Sequence, residues 1–455
     1  MLVRLAVVVL VFPYIVASII HFFQTRAARR KICETYRCEN PPQERPYDFW
    51  GIGNTYKSIM DLFNGRILKA MTVAFDTYGH TYSTIILGTQ VLFTCDPQNI
   101  RQILMDRFSD YYASQGLRDH LFRPLMSGSI FALDGAPWKS ARNIFRGVFS
   151  NTRSITDIAM FERVFQDMRR QIPVDGKQVD IQELLHMFTT ETIVSFVLGE
   201  SSEVFQSNQT PDKRKFVDSM KLVEAKIAQD GFLGGAHILT SKKQFHASCS
   251  FIRNFLGGVV SLKLAQLDRD EKIEDPALGE RHCLLNSLIQ NTTDTEQVVD
   301  GLLTVLVAGI GSIAQVLSAT FWLLARHPLV YNKLRRVILE TVGDEKVTPT
   351  YDQLKSLSYL RHVLNEVMRV LPPVPFNARI ANVETWLPTG GGASRQAPVF
   401  VRKGQMVVFS SWGSHRSLSI YGQDARQFRP ERWESIKADG FIPFNLGPRA
   451  CLGRR

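Results

Sequence analysis

Twenty-five consecutive residues without a charge, Gly301 to Ala325, set the first constraint on this chain. A run of that length is long enough to cross a bilayer as one helix. It fits equally well a long helix buried through the middle of a globular body. Its interior is mixed: Thr304, Ser312, Gln315, Ser318 and Thr320 interrupt the aliphatic residues, and Gly309 and Gly311 lie near its centre. Thr293 and Glu296 have the spacing of a capping box ahead of it, and Pro328 closes it. Local pattern leaves both solutions open. Composition narrows the surroundings: of 455 residues, 45% are hydrophobic and 21% charged, the balance of a globular protein rather than a polytopic membrane protein.

A second apolar run stands at the N-terminus. Leu5 to Phe23 carries no charge and is followed at once by Arg26, Arg29, Arg30 and Lys31. Nineteen residues approach the length of a spanning helix, and the basic cluster after them holds the downstream chain in the cytosol. A cleaved signal peptide is the competing reading, against which the run is long and its charge lies on the wrong side. The expectation is therefore an anchor over residues 1–24 and a basic, Pro-rich connector over 25–47, including Asn40-Pro41-Pro42. With the body in the cytosol, the sequons at Asn208 and Asn291 stay bare.

The formal net charge of +11 raises the question of nucleic acid. No zinc-finger spacing, basic heptad or aromatic-studded basic strand accompanies it, so nucleic acid is not expected. The six cysteines, Cys33, Cys38, Cys95, Cys249, Cys283 and Cys451, form no C-x-x-C pair and read as reduced thiols. Beyond Tyr47 the pattern is mostly helical, with short strands near Thr81–Thr94 and Pro398–Phe409 and turns at Asp134-Gly135 and Gly390-Gly391-Gly392. Residues 213–263 read as helical and basic, by default a solvated face, with a face lying against the membrane as the alternative.

The chemistry is concentrated in Phe444-Asn445-Leu446-Gly447-Pro448-Arg449-Ala450-Cys451-Leu452-Gly453. A lone cysteine in a turn is usually structural. Here it sits between glycines that let backbone pass close beneath the sulfur. Arg449 adds positive charge and Phe444 an apolar shield. A thiolate ligating haem iron needs those three things.

The loop resembles the F-x-x-G-x-R-x-C-x-G signature of the cytochrome P450 superfamily. Three further segments resemble that family in the expected order. Glu366-Val367-Met368-Arg369 matches its E-x-x-R, and Phe428-Arg429-Pro430-Glu431-Arg432-Trp433 matches the segment whose arginine, Arg432, completes a buried network with Glu366 and Arg369. Trp138-Lys139-Ser140-Ala141-Arg142 matches its W-x-x-x-R. The resemblance covers residues 48–455 and implies a mainly α fold with a smaller β-rich lobe, here preceded by one transmembrane helix. It implies haem b as cofactor, with Cys451 as the axial ligand of the iron. Trp138, Arg142, Arg379 and Arg449 would then face the haem carboxylates. Pro372–Asn377 and the run Val399–Trp433 look closest to fungal membrane-bound alkane and fatty-acid hydroxylases. Such enzymes use O2 and electrons from an NADPH-dependent flavoprotein reductase on the endoplasmic reticulum membrane.

Within the charge-free run, Ala308-Gly309-Ile310-Gly311-Ser312-Ile313 occupies the family's oxygen-activating segment, which makes the run the long helix over the haem. Ala308, Gly309 and Ser312 are expected there at the reacting oxygen. Together with Phe376 and Gln115–Phe131 the segment is expected to shape an apolar substrate pocket. Two departures from the family pattern stand out. Gly311 replaces the usual acid and Ser312 the usual threonine, a loss that an oxygen-independent isomerase or dehydratase would tolerate. The chain also stops four residues after Cys451, where relatives continue with a helix and a β region, so the catalytic body is expected to lack its C-terminal end. A truncated, non-catalytic relative is the alternative that follows.

Overall fold

The computed structural model describes residues 29–454 apart from 46, 117, 146, 151–152, 154–155, 269–282, 345–346 and 437–438. The expected anchor, Leu5–Phe23, lies outside the described residues. The chain forms two compact units. One comprises the described residues up to Tyr112 with Phe376–Ser414 and Leu446–Arg449; the other comprises Ala113–Pro375, His415–Asn445 and the residues from Ala450 onward.

The first unit holds the strands. Helices α1 (Ile52–Phe63) and α2 (Ile67–Tyr78) precede β1 (Thr81–Ile86) and β2 (Thr89–Thr94). These two pair antiparallel with Thr81 opposite Thr94 and Ile86 opposite Thr89. Their turn, Leu87-Gly88, has positive φ at both residues, the geometry that matches strand twist in a two-residue hairpin. With β3 (Tyr111–Tyr112), β4 (Asn377–Ala381) and β7 (Met406–Phe409) they make a five-stranded sheet in the order β1-β2-β7-β4-β3. A second hairpin joins β5 (Thr385–Gly391) to β6 (Ala397–Val401). Met71, Ala74 and Phe75 of α2 pack with Tyr82 and Cys95 into a small core, and Phe376 packs against that cluster.

Strands at 81–94 and near 398–409 agree with the sequence pattern, whereas β4 and β5 were not legible in it. Gly390 and Gly391, which read as a turn, are the end of β5, where the pairing with β6 shifts register. Gly390 has φ +115°, and a Cβ there would stand 2.3 Å from Thr81 Cβ, so the glycine permits the close approach of backbone to β1.

The second unit is helical. In order it contains α3 (Asp119–Met126), α4 (Gly135–Ile144), α5 (Ile158–Arg169), α6 (Ile181–Leu198), α7 (Pro211–Leu233), α8 (Lys243–Asp268), α9 (Leu284–Ile289), α10 (Thr295–Arg326), α11 (Pro328–Val342) and α12 (Ser358–Val370). The charge-free run is α10. Its N-cap is Asp294, whose carboxylate accepts the Glu296 and Gln297 amides, and not the expected Thr293 with Glu296. An aspartate one residue closer to the first turn supplies the same satisfaction of orphan N–H groups.

Along α10, Val298, Leu302, Leu306 and Ile310 recur about once per turn and join Val194 and Val197 of α6, Leu256 and Val260 of α8 and Leu285 and Leu288 of α9. Toward its far end Ala319, Leu323 and Leu324 pack with Leu334 of α11 and Val363 and Val367 of α12. Each such fully buried side chain contributes roughly 1.5–3 kcal/mol. Although α10 has the length and composition of a membrane span, these contacts are those of a helix threaded through a protein core.

Candidate active site around Cys451

Helix α4 brings Trp138 and Arg142 onto one face, one turn apart, as their spacing requires. Trp138 is buried, and the Arg142 guanidinium carbon lies 5.7 Å from its ring centroid. Arg142 Nη2 donates to the Ala450 carbonyl at 2.5 Å, which fixes α4 to the residue preceding Cys451. The start of the helix is set differently from an ordinary cap. Asp134 turns its carboxylate back onto the Ala113, Ser114 and Gln115 amides at 2.8–2.9 Å.

The Cys451 N–H donates to the Phe444 carbonyl at 2.8 Å, closing the loop on itself. Asn445, within that loop, has φ +65°. Leu452 packs on the helical core, while Cys451 is exposed. Surrounding protein raises the Cys451 thiol above its ordinary value; the Gly453 amide, Arg142 and Arg454 act in the opposite direction. Arg142 is itself lowered, first by burial and then by Arg454, with Cys451 opposing. Sulfur and guanidinium therefore stabilise each other's charged form.

Ala308, Ser312 and Ile313 form an exposed strip on α10 beside buried Ile310. Ser312 Oγ donates to the Ala308 carbonyl at 2.7 Å, one turn back, which keeps the hydroxyl oxygen available as an acceptor. At Gly309 a Cβ would meet Ile193 Cδ1 at 2.8 Å, so this glycine lets α10 and α6 approach closely. Phe122 and Phe131, from the segment read as pocket-forming, stack with centroids 5.3 Å apart and pack on the helical core.

Two of the expected arginines belong to the first unit. Arg379, on β4, is buried; its Nη1 donates to the Ala378 carbonyl at 2.7 Å, and the guanidinium lies 5.3 Å from the Phe409 ring centroid. Arg449 is half-buried and ends the short 3-10 turn Gly447–Arg449.

The structure brings Glu366, Arg369 and Arg432 together, all fully or nearly fully buried. Glu366 Oε1 accepts from Arg369 Nη2 at 2.8 Å, Arg432 Nε at 2.9 Å and the Arg429 amide at 2.8 Å. Glu366 Oε2 accepts from Arg369 Nε at 2.8 Å and Trp433 Nε1 at 3.0 Å. The remaining guanidinium protons go to carbonyls of His415, Tyr421, Asp424, Ala425 and Gln427, and to the Asp424 carboxylate. Trp433, Asp424 and His415 were not singled out in the sequence. Trp433 was adjacent to a recognised arginine; the other two had no local signal. Satisfaction this complete is what makes a buried ionic cluster tolerable.

Among the described residues, no group of three His, Cys, Asp or Glu side chains could hold a bare metal ion. A single exposed thiol with cations beside it suits instead a metal whose other donors come from an anionic macrocycle, and haem is such a group. The comparisons agree with that chemistry. The family model described as Cytochrome P450 matches residues 41–455. Cytochrome P450 52A13 of Debaryomyces hansenii is 32% identical over 439 residues, covering 92% of this chain and 83% of the relative. The cytochrome P450 monooxygenase FPY7 of Fusarium mangiferae is 32% identical over 440 residues, 95% of this chain and 83% of its own. Cytochrome P450 52A3-B of Candida maltosa is 34% identical over 454 residues, covering 95% and 86%.

Proposed function

The chain belongs to the cytochrome P450 family and is an oxidoreductase of the monooxygenase kind; from that premise we propose that it is a membrane-anchored enzyme hydroxylating a long-chain apolar substrate, an alkane or fatty acid. Residues 1–24 serve as the anchor, 25–47 as the connector and 48–455 as the catalytic domain, held at the endoplasmic reticulum and facing the cytosol. Haem b, ligated by Cys451, supplies the oxygen-activating redox chemistry when bound. Trp138, Arg142, Arg379 and Arg449 hold its carboxylates, and Phe444 shields the sulfur from water. Ala308, Gly309 and Ser312 line the oxygen side, where the Ser312 hydroxyl assists oxygen activation. Electrons come from an NADPH-dependent flavoprotein reductase, whose acidic docking face would suit the +11 charge.

The observation that carries this reading is the pairing of an exposed thiol at Cys451 with Arg142, which is hydrogen-bonded to the adjacent Ala450 carbonyl. The carbon-monoxide difference spectrum of the reduced, membrane-expressed chain tests it. A red-shifted, thiolate-type Soret band that disappears in Cys451→Ala supports the ligand assignment; a band unchanged by that substitution refutes it. NADPH-dependent product formation with a reductase separates monooxygenation from oxygen-independent isomerisation. For topology, the exposed Asn208 and Asn291 stay without glycan on expression in a eukaryotic membrane, and glycan on either reverses the orientation.

A further inference from the structure

The acid absent from position 311 has a counterpart on another helix. A Cβ built on Gly311 would lie 3.3 Å from Glu224 Oε2, so this carboxyl, from the middle of α7, reaches the space that an acidic side chain at 311 would enter. The Glu224 side chain is only 15% exposed, and its Oε1 is buried without a hydrogen-bond partner. Its Oε2 faces His186 Nε2 of α6 at 3.7 Å. Helices α6, α7 and α10 thus converge on a carboxyl whose one oxygen meets an imidazole and whose other carries no compensating bond. A buried carboxylate in that state is expensive to maintain, whereas a carboxylic acid is not. Burial accordingly raises the Glu224 carboxyl above the usual range, with His186 opposing.

We propose that Glu224 holds the proton that the oxygen-activating segment of α10 requires, taking over from α7 the role of the acid replaced by Gly311. The inference rests on the monooxygenase reading above. Monooxygenation consumes one O2, two electrons from the flavoprotein reductase and two protons; one oxygen atom enters the substrate and the other leaves as water. Glu224 releases its proton at Gly311 toward the solvent-exposed Ser312. The Ser312 hydroxyl receives that proton on a free lone pair and, turning its own O–H away from the Ala308 carbonyl, passes that proton to the oxygen atom that leaves as water. His186 then returns a proton to Oε2 across their 3.7 Å separation, and its partly exposed ring takes up the next one from solvent. Gly311 is what leaves room for the arrangement, since an acid at both positions would set two carboxyls against each other.

The test uses the full chain in membranes with its reductase, and three variants: Glu224→Gln, Gly311→Asp and the double variant. Glu224→Gln is expected to keep the carbon-monoxide spectrum of the parent while the rate of product formation falls on the order of 10²-fold. The reducing equivalents then appear as hydrogen peroxide. The double variant, with the carboxyl returned to α10, is expected to recover product. A second readout needs no turnover: Gly311→Asp should lower the thermal midpoint in the parent and lower it much less in Glu224→Gln. Wild-type coupling of electrons to product in Glu224→Gln overturns the proposal, as does an additive thermal cycle. If Glu224→Gln fails to bind haem, the effect of Gly311→Asp on the parent's midpoint decides: no loss overturns the juxtaposition. Absence of any reductase-driven product in the parent would instead reject the monooxygenase reading, which the thermal cycle does not touch.

Discussion

Glu366 and Arg369, three residues apart on α12, meet in a two-point ion pair at 2.8 Å with both side chains fully shielded from solvent. Arg432 donates to the same Glu366 oxygen at 2.9 Å, so one carboxylate compensates two buried guanidinium groups. Removing it strands Arg369 and leaves Arg432 with the longer contact to the Asp424 carboxylate at 3.3 Å. Glu366→Ala is expected to destabilise the chain by about 3–5 kcal/mol, a large share of the stability of an ordinary domain. Denaturant unfolding, or the yield of folded protein, measures this. A loss below about 1 kcal/mol would mean that the arginines find other partners.

Trp433 allows a finer measurement on the same carboxylate. Its Nε1 donates to Glu366 Oε2 at 3.0 Å, and its ring packs against Phe441 with centroids 4.5 Å apart. Trp433→Phe keeps much of the ring contact and deletes the donor. The expected loss is about 1–3 kcal/mol, well short of that for Glu366→Ala, because Oε2 retains its bond from Arg369 Nε. Equal losses for the two substitutions would place the energy in the packing of the indole rather than in the network.

What the sequence made legible here follows from locality. Trp138 with Arg142, and Glu366 with Arg369, lie within one helical turn of each other, so spacing alone placed each pair on one face. The loop that ends at Cys451 is equally compact, closing through a single bond from the Cys451 amide to Phe444. By contrast, Asp424 and His415 reach the network from a segment with no periodicity, and their contacts run through backbone carbonyls as much as side chains. Glu224 stands in a basic helix whose pattern suits a solvated or membrane-facing surface, and nothing in its own neighbourhood announces Gly311, 87 positions on. Phe376, expected to shape the pocket with Ala308–Ile313 and Gln115–Phe131, packs against the cluster that holds Phe75 and Tyr82, a contact no local pattern announces. The cluster Gly390-Gly391-Gly392 marks the hairpin turn by its last member: Gly392 opens the turn, while Gly390 and Gly391 end β5 at its register shift.

His415 makes the stability of the helical unit depend on pH. It is fully buried, its Nε2 accepts the Ile442 amide at 2.9 Å, and its carbonyl accepts from Arg369. Burial first, then Arg416 and Arg369, push its pKa down to about 3. In the unfolded chain a histidine titrates near pH 6.5, so between about 6.5 and 3 the unfolded state holds a proton that the folded state refuses. Stability therefore falls with acidification through that window, by up to about 1.4 kcal/mol per pH unit from this group, and is unaffected by it above pH 7. Comparing unfolding free energies of the parent and His415→Gln at pH 7.5, 6 and 5 isolates the histidine from the carboxylates. The parent should lose more stability than the variant on acidification. Parallel curves would show that His415 accepts a proton in the folded chain.

Two glycines of the cysteine loop carry very different constraints, although the family pattern marks both. Gly447 has φ +67°, and a Cβ there would lie 2.0 Å from the Leu104 carbonyl oxygen and 3.1 Å from Met105 Cγ. The first obstacle is backbone, which cannot rotate aside, and the positive φ adds strain of its own. Gly453 has no positive φ, and its nearest neighbour to an added Cβ is Cys451 Sγ at 4.0 Å, ordinary contact. Gly447→Ala is thus expected to cost at least about 2–3 kcal/mol and to distort the turn that leads to Cys451, reducing the thiolate-type carbon-monoxide band. Gly453→Ala should leave stability within about 0.5 kcal/mol and retain the band. If Gly453→Ala were the more damaging of the two, the demand on that glycine would come from what binds against Cys451 rather than from the turn, and the spectrum of that variant would show the difference before its stability did.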